Sequence, residues 1–172
     1  MIGVDFETNG LHPATPIEIG VVRYLPHQER FEILANHVLK GAKYITRAAY
    51  NVHGISLRDT WRGSSISDFQ DLMDSLAGEE ICVHAHGTEK KIMREWFGIT
   101  EVTFIDTLTL SRREYKGFPN HKLATVTQQL GLEPMLKRSF PRLGWHRAAF
   151  DAGASALIAH HLKLKKEQNK LI

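Results

Sequence analysis

The strongest constraint on the fold is a set of three strand-like runs, separated only by short turns, at the start of the chain. The runs cover residues 1–6, 17–25 and 31–39 and are rich in apolar and β-branched residues. Turn-forming sequences separate them, namely Asn9-Gly10, His12-Pro13 and Pro26-His27-Gln28. Because short connections join antiparallel neighbours, the sequence predicts an antiparallel meander at the start of a sheet.

After residue 43 the pattern changes to alternating helices and strands. Apolar residues recur at helical spacing in residues 46–52, 67–76, 89–97, 123–130 and 148–164, with short apolar strands at 81–83 and 102–105. Residues 117–120 and 137–144 are predicted to be loops. This order predicts an α/β fold, a mixed sheet flanked by helices. The length suits one core, so a single domain is expected over residues 1–172.

Composition and charge exclude several classes of protein. Hydrophobic residues make up 42% and charged residues 24%, a balance that indicates a folded globular chain, and apolar stretches such as residues 154–159 are too short for a membrane span. The N-terminus lacks the pattern of a secretory signal, so a cytoplasmic location is expected.

Cys82 lies in an apolar run, which favours a buried thiol. The net charge of +3 fits a polyanionic partner without requiring one, and basic clusters such as Arg112, Arg113 and Lys116 are favoured to be solvated faces.

Two acidic side chains end the first strand-like run. Asp5 and Glu7 are two residues apart, so in a strand both project from the same face. Paired oxygen ligands at a strand end suit Mg²⁺ or Mn²⁺, because hard cations prefer carboxylates and water. The alternative is a solvated strand end, which an Asp-x-Glu triplet taken alone favours.

A histidine and an aspartate flank the start of the last predicted helix. His146 lies just before the helix and Asp151 in its second turn, five residues later. The histidine can deprotonate an attacking water while the aspartate holds a metal ion, since imidazole titrates near neutral pH and a carboxylate stays ionised. The alternative is a surface histidine and a carboxylate favoured by the helix dipole.

Two further carboxylates follow the short central strands. Glu89 comes soon after the strand at 81–83 and Asp106 directly after the strand at 102–105, and either is a candidate for a fourth acidic ligand. A zinc site at His84 and His86 is disfavoured, because the pair lacks cysteine partners and a third well-spaced ligand. Together the acidic residues and the histidine indicate phosphodiester hydrolysis with two metal ions.

Six short motifs resemble, in order and over nearly the whole chain, those of the DEDDh 3′-5′ exonucleases. That family includes the proofreading ε subunit of bacterial DNA polymerase III, RNase T and oligoribonuclease. The motifs lie at residues 4–11, 17–20, 52–55, 105–112, 120–123 and 146–152. The resemblance implies an RNase H-like fold with a five-stranded mixed sheet.

The resemblance also implies a set of active-site residues. Asp5, Glu7 and Asp151 would bind two Mg²⁺ or Mn²⁺ ions, and His146 would be the general base. The second motif departs from the family pattern His-Asn-Ala-x-Phe-Asp, because residues 84–89 read His-Ala-His-Gly-Thr-Glu. Glu89 therefore stands where the ligand aspartate is expected, with the same charge and one more methylene, and it ranks above Asp106 as the fourth ligand.

By the same resemblance, the terminal nucleotide would lie against Phe6, Thr8 and Leu11. His53 either faces this cleft or fills a loop. The expected function is a 3′-5′ exonuclease that releases nucleoside 5′-monophosphates from single-stranded ends, with DNA favoured over RNA. The alternatives are RNA trimming and a catalytically weakened nucleic-acid-binding module. A larger assembly for replication, proofreading, DNA repair or nucleic-acid processing is a candidate partner.

Overall fold

A five-stranded mixed sheet forms the centre of the molecule. The computed structural model describes residues 1–168, so residues 169–172 of the expected domain lie outside the described part. The strands are β1 (Ile2–Thr8), β2 (Pro16–Leu25), β3 (Arg30–Val38), β4 (Glu80–Val83) and β5 (Thr103–Asp106). Their order is β3-β2-β1-β4-β5, with β1, β2 and β3 antiparallel and β1, β4 and β5 parallel. The predicted α/β class and opening meander are confirmed.

Eight α-helices flank the sheet within the described residues. They are α1 (Arg47–His53), α2 (Leu57–Trp61), α3 (Gln70–Asp74), α4 (Gly87–Phe97), α5 (Thr107–Glu114), α6 (Leu123–Gln129), α7 (Glu133–Ser139) and α8 (Ala148–Gln168). Side chains of α3 and α4 pack on one face of the sheet, and α8 covers β1 and β2 on the other face. No helix described here is long and apolar enough to span a membrane.

Alternation along β1 separates the core from the polar face. Ile2, Val4 and Phe6 are buried in the cluster beneath α3 and α4, whereas the alternate residues Gly3, Asp5 and Glu7 face α8. This explains how one short strand both anchors the core and presents two carboxylates together.

Two glycines allow α8 to lie directly on the sheet. A Cβ atom at Gly3 would overlap the backbone of Ala152, and a Cβ at Gly20 would overlap the backbone of Ala148 and Ala149. The first turns of α8 are rich in alanine, so the helix approaches the strands without side chains between them. This close approach brings Asp151 over the end of β1.

The short helices are where the sequence predictions are wrong. α2, α5 and α7 were not predicted, and the loop predicted over 137–144 includes the end of α7. Only Leu136 of α7 is fully buried, so apolar periodicity gives almost no signal there. In place of the single helix predicted over residues 67–76, the structure has a 3₁₀ turn, Ile66–Phe69, followed by the short α3. Cys82 is fully buried, as predicted, and burial raises the pKa of its thiol to about 12.

Candidate active site

Four carboxylates from three separate elements meet at one edge of the sheet. Asp5 and Glu7 project from the carboxyl half of β1, Glu89 lies in the first turn of α4, and Asp151 lies in the first turn of α8. Because β1 and β4 are parallel neighbours, their carboxyl ends share this edge, and the loop after β4 leads into α4. Glu89 is 5% exposed and Asp151 is 9% exposed.

Burial, and after it mutual repulsion, raises the pKa values of these carboxylates. Burial, followed by the charge of Glu18, raises the pKa of Asp5 to about 7. Burial and the charge of Asp5 raise the pKa of Glu7 to about 8, that of Glu89 to about 8 and that of Asp151 to about 9. Negative charge at this position therefore needs a positive partner, because each carboxylate opposes the ionisation of the others.

The donor set fits divalent cations. Oε2 of Glu89 and Oδ1 of Asp151 are buried and accept no hydrogen bond, although buried carboxylate oxygens normally have partners. One ligand atom each from Glu7, His146 and Asp151 lie within 4.8 Å of one another. Oxygen-rich sites of this kind suit Mg²⁺ or Mn²⁺ better than softer metals.

His146 is held in an unusual backbone conformation beside the cluster. Its φ angle of 64° lies in the left-handed region, which few non-glycine residues adopt. The backbone N–H of His146 donates to Oδ2 of Asp151 at 3.2 Å, and its side chain is exposed. The prediction that Asp151 lies in the second turn of the helix is wrong, since α8 begins at Ala148 and Asp151 is in its first turn.

Glu18 and Arg147 fix the start of α8, and the sequence reasoning missed their role. Glu18 is fully buried in β2 directly opposite Glu7. Its carboxylate accepts hydrogen bonds from the Arg147 guanidinium, at 2.9 Å from Nε, and from the backbone N–H of Ala148 at 2.8 Å. The available signal was a glutamate between Ile17 and Ile19 in an apolar strand, because a buried charge requires a partner.

Asp106 lies outside the carboxylate cluster and holds the loop between β4 and α4. Its Oδ1 accepts from the backbone N–H of Ala85 at 3.0 Å, and its Oδ2 is bonded to Nδ1 of His86 at 3.0 Å. Burial raises the pKa of Asp106, but hydrogen bonds from His86, Ala85 and Thr109 outweigh it and lower the value to about 2. His84 is bonded to Thr107 and to the carbonyl of His121. Both histidines of the disfavoured zinc site therefore have hydrogen-bond partners in the fold.

A cavity of about 320 Å³ lies beside Glu7. The side chains and backbone that line it belong to the end of β1 and to α1 and include Thr8, Val52 and His53. The N–H of Ile55 donates to Nδ1 of His53 at 2.9 Å, so the proton of the neutral ring is on Nε2, which is buried and lies near the backbone of Thr8. Burial lowers the pKa of His53.

The other two predicted substrate-binding residues lie differently. The side chain of Phe6 is 5% exposed and packs against Phe97 in the core, so only its backbone can face the cleft. Leu11 is 44% exposed at the turn after β1.

Comparisons with known proteins give a family match and structures of similar fold. The family model described as RNase_T, exonuclease, matches residues 2–159. No curated protein matches the chain significantly. Among solved structures, the chain is similar to Exonuclease X in complex with 5′ overhanging duplex DNA, with 18% identity, a TM-score of 0.71, and coverage of 98% of this chain and 92% of that one.

Two further structures are similar at lower scores. One, from a structure of 3′-end specific recognition of histone mRNA stem-loop by a 3′-exonuclease, has 16% identity, a TM-score of 0.61, and coverage of 96% and 81%. The other, cell-death related nuclease 4, has 16% identity, a TM-score of 0.64, and coverage of 95% and 63%. At these identities the likeness shows the fold, which is the predicted RNase H-like one.

Proposed function

The chain belongs to the exonuclease family whose model matches residues 2–159, and we propose that it removes nucleotides from the 3′ end of single-stranded nucleic acid. The proposed products are nucleoside 5′-monophosphates. DNA is the proposed substrate, and RNA is the second candidate, because similar structures are described with each. The structure similar over the larger share of both chains is the one described with DNA.

The observation that carries this proposal is the convergence of Asp5, Glu7, Glu89 and Asp151 beside His146. Four acidic groups with raised pKa values and two unpartnered oxygens form a site that is unfavourable without cations. These four carboxylates would hold two Mg²⁺ or Mn²⁺ ions. Bound there, the ions would supply an activated water and neutralise the charge on the leaving oxygen.

We assign the role of general base to His146. Its exposed ring stands next to Glu7 and Asp151, where a neutral imidazole can accept a proton from water that attacks the scissile phosphate. The Glu18–Arg147 pair positions it, because that pair fixes the backbone on which both His146 and Asp151 lie.

The cavity beside Thr8 and His53 is the proposed site for the terminal nucleotide. Its wall from α1 is largely apolar and suits a base or sugar. Leu11, which is exposed at the turn after β1, would offer an apolar surface to the same nucleotide, and Phe6 would contribute only backbone.

Two departures from this function remain as alternatives. The first is RNA trimming. The second is a nucleic-acid-binding module with weakened catalysis, which the replacement of the usual aspartate by Glu89 favours. Retention of Asp5, Glu7, His146 and Asp151 in one site opposes it.

The decisive experiment incubates the protein with 5′-labelled single-stranded DNA and RNA of one sequence, with Mg²⁺, Mn²⁺ or EDTA. We expect a metal-dependent ladder that shortens from the 3′ end and is absent for Asp5→Asn and Asp151→Asn. Asp71→Asn is the matched control, because Asp71 is exposed on α3, away from the site. Cleavage that survives either active-site change would reject the mechanism, and cleavage of neither strand would favour the binding module.

From the proposed removal of 3′-terminal nucleotides we propose a cellular role in proofreading or DNA repair. The proposed location is the cytoplasm, within a larger assembly. It predicts faster removal of a mismatched than of a paired 3′-terminal nucleotide from a primer, because an unpaired end enters a single-strand site more readily. Equal rates would oppose it.

A further inference from the structure

A second cavity, of about 350 Å³, lies on the β4 side of the carboxylate cluster. It is lined by His84, Leu108, Arg112, Asn120, His121 and Lys122. The cavity beside Thr8 and His53 lies on the other side, where β1 meets α1. Glu7 of the cluster lines the first cavity, whereas the second lies at the carboxyl end of the neighbouring strand β4.

The second cavity begins close to the cluster. Gly3 of β1 is opposite Cys82 of β4 in the parallel pair, and two residues further along the chain from each are Asp5 and His84. β1 and β4 are neighbouring parallel strands, so the carboxyl end of β4, which His84 follows directly, lies beside the half of β1 that carries Asp5 and Glu7.

Positive charge dominates this cavity. Arg112 and Lys122 are exposed, and none of its lining residues is acidic. Among residues 1–168, neither side chain makes an ion pair, whereas the adjacent Arg113 is paired with Glu114 at 2.8 Å. The two cations are therefore available to an anion from outside the molecule.

The framework of the cavity is fixed by hydrogen bonds. Nε2–H of His84 donates to the carbonyl of His121 at 2.8 Å, and Nδ1 of His121 is bonded to the Ser111 hydroxyl at 3.2 Å. Oδ1 of Asn120 accepts from the backbone N–H of Lys122 at 3.0 Å. These bonds connect α5 and the loop before α6 to the end of β4, so the cations are presented on a rigid wall next to the cluster.

We propose that this cavity binds a backbone phosphodiester of the nucleic-acid strand upstream of the scissile bond, through Arg112 and Lys122. The inference rests on the proposed exonuclease function, since it assigns where the upstream part of the same substrate strand binds. Guanidinium and ammonium groups form charge-assisted hydrogen bonds with phosphate oxygens. A strand whose terminal nucleotide lies beside Thr8 and whose scissile phosphate lies at the carboxylates continues toward this side.

The first test measures binding without catalysis. A fluorescein-labelled decathymidylate is titrated in EDTA with wild type, with the double variant Arg112→Gln/Lys122→Gln, and with Arg113→Gln/Lys116→Gln. The last variant is the matched control, because it removes two charges from the same region but none from the cavity. For single strands, the logarithm of the binding constant falls by about 0.7 per phosphate contacted for each tenfold rise in salt concentration. The cavity variant should therefore show a slope less steep by about 1.4 and a roughly tenfold weaker affinity at low salt.

The second test separates the two ends of the substrate during turnover. The p-nitrophenyl ester of thymidine 5′-monophosphate reaches only the terminal site, whereas the decathymidylate also reaches the cavity. We expect the ratio of kcat/KM for the oligonucleotide to kcat/KM for the ester to fall about tenfold in the cavity variant. The control variant should keep the wild-type ratio.

Each contrary result is decisive. Equal losses in both double variants would show a net-charge effect and overturn the proposal, as would an unchanged salt slope. Loss of inorganic phosphate binding in the cavity variant, with unchanged oligonucleotide affinity, would identify a small-anion site and also overturn it. If wild type hydrolyses neither substrate, the exonuclease function fails, while the binding measurement in EDTA still decides the cavity.

Discussion

The carboxylate of Glu18 accepts a hydrogen bond from the backbone N–H of Ala148, the first residue of α8, at 2.8 Å. The two residues are 130 positions apart in the chain. This bond, with the Arg147 ion pair on the same carboxylate, joins the middle of the sheet to the helix that carries Asp151. The candidate active site therefore depends on an ion pair that need not contact the substrate.

Glu18→Gln tests this dependence. The amide can still accept from Ala148, but the guanidinium of Arg147 loses its buried counter-charge. Breaking a buried pair by removing one partner destabilises a protein by about 3–5 kcal/mol. We expect a loss near the lower limit in urea denaturation, with a fall in kcat larger than the change in KM. The double change Glu18→Gln/Arg147→Met should recover part of the stability, and strictly additive losses would contradict the pairing.

Gly20→Ala tests the close approach of α8 to the sheet. The added methyl group would overlap the backbone of Ala148 and Ala149, so the helix must move away from β2. Overpacking costs about 1–3 kcal/mol, and a displacement of about 1 Å at reacting groups lowers the rate by about a hundredfold. Thermal unfolding and kcat measure the two effects. Gly117→Ala is the control, because a Cβ at Gly117 meets open space.

The pH dependence of stability should show the strain among the carboxylates. An acid whose pKa is raised on folding binds its proton more tightly in the folded state, so its contribution to stability is fully present below the unfolded pKa and is lost as the pH rises through the folded pKa. For Asp5, Glu7, Glu89 and Asp151 this window runs from the ordinary values of 3.8 and 4.5 to about 9.

In EDTA, the contribution of these four groups to the melting temperature should therefore fall from about pH 4 to about pH 9. Mg²⁺ or Mn²⁺ should raise it most at the alkaline end, because metal binding requires ionised ligands. Asp151→Asn should melt a few degrees higher than wild type in EDTA at about pH 8 and should lose part of the metal effect. Asp71→Asn should follow wild type, and a flat profile for wild type would contradict the clustering.

Glu89→Asp tests whether the site is built for glutamate. Removing one methylene withdraws the carboxylate by about 1.5 Å, while the loop held by Asp106 fixes the start of α4. We expect kcat to fall by about tenfold to a hundredfold with little change in stability, measured in parallel on labelled DNA and by urea denaturation. A faster enzyme would show instead that glutamate weakens the original site.

Local patterns placed several candidate site residues together, and the family resemblance assigned their expected roles. The two-residue period of β1 placed Asp5 and Glu7 on one face, and the start of the last helix placed His146 near Asp151. The Glu18–Arg147 pair could not be predicted in this way, because it joins residues 129 apart whose contact depends on how α8 crosses the sheet. The reach of Glu89 likewise depends on where α4 begins, and the helix begins at Gly87, two residues before the predicted start.

The left-handed backbone at His146 sets activity against stability at a single position. A histidine there holds a sparsely populated conformation, at φ 64°, which costs of order 1–3 kcal/mol. Glycine would adopt the same angle without steric strain. A screen for heat resistance alone should therefore select His146→Gly and yield a protein that is more thermostable but inactive. Thermostabilisation of this enzyme by directed evolution therefore needs a simultaneous selection for nuclease turnover.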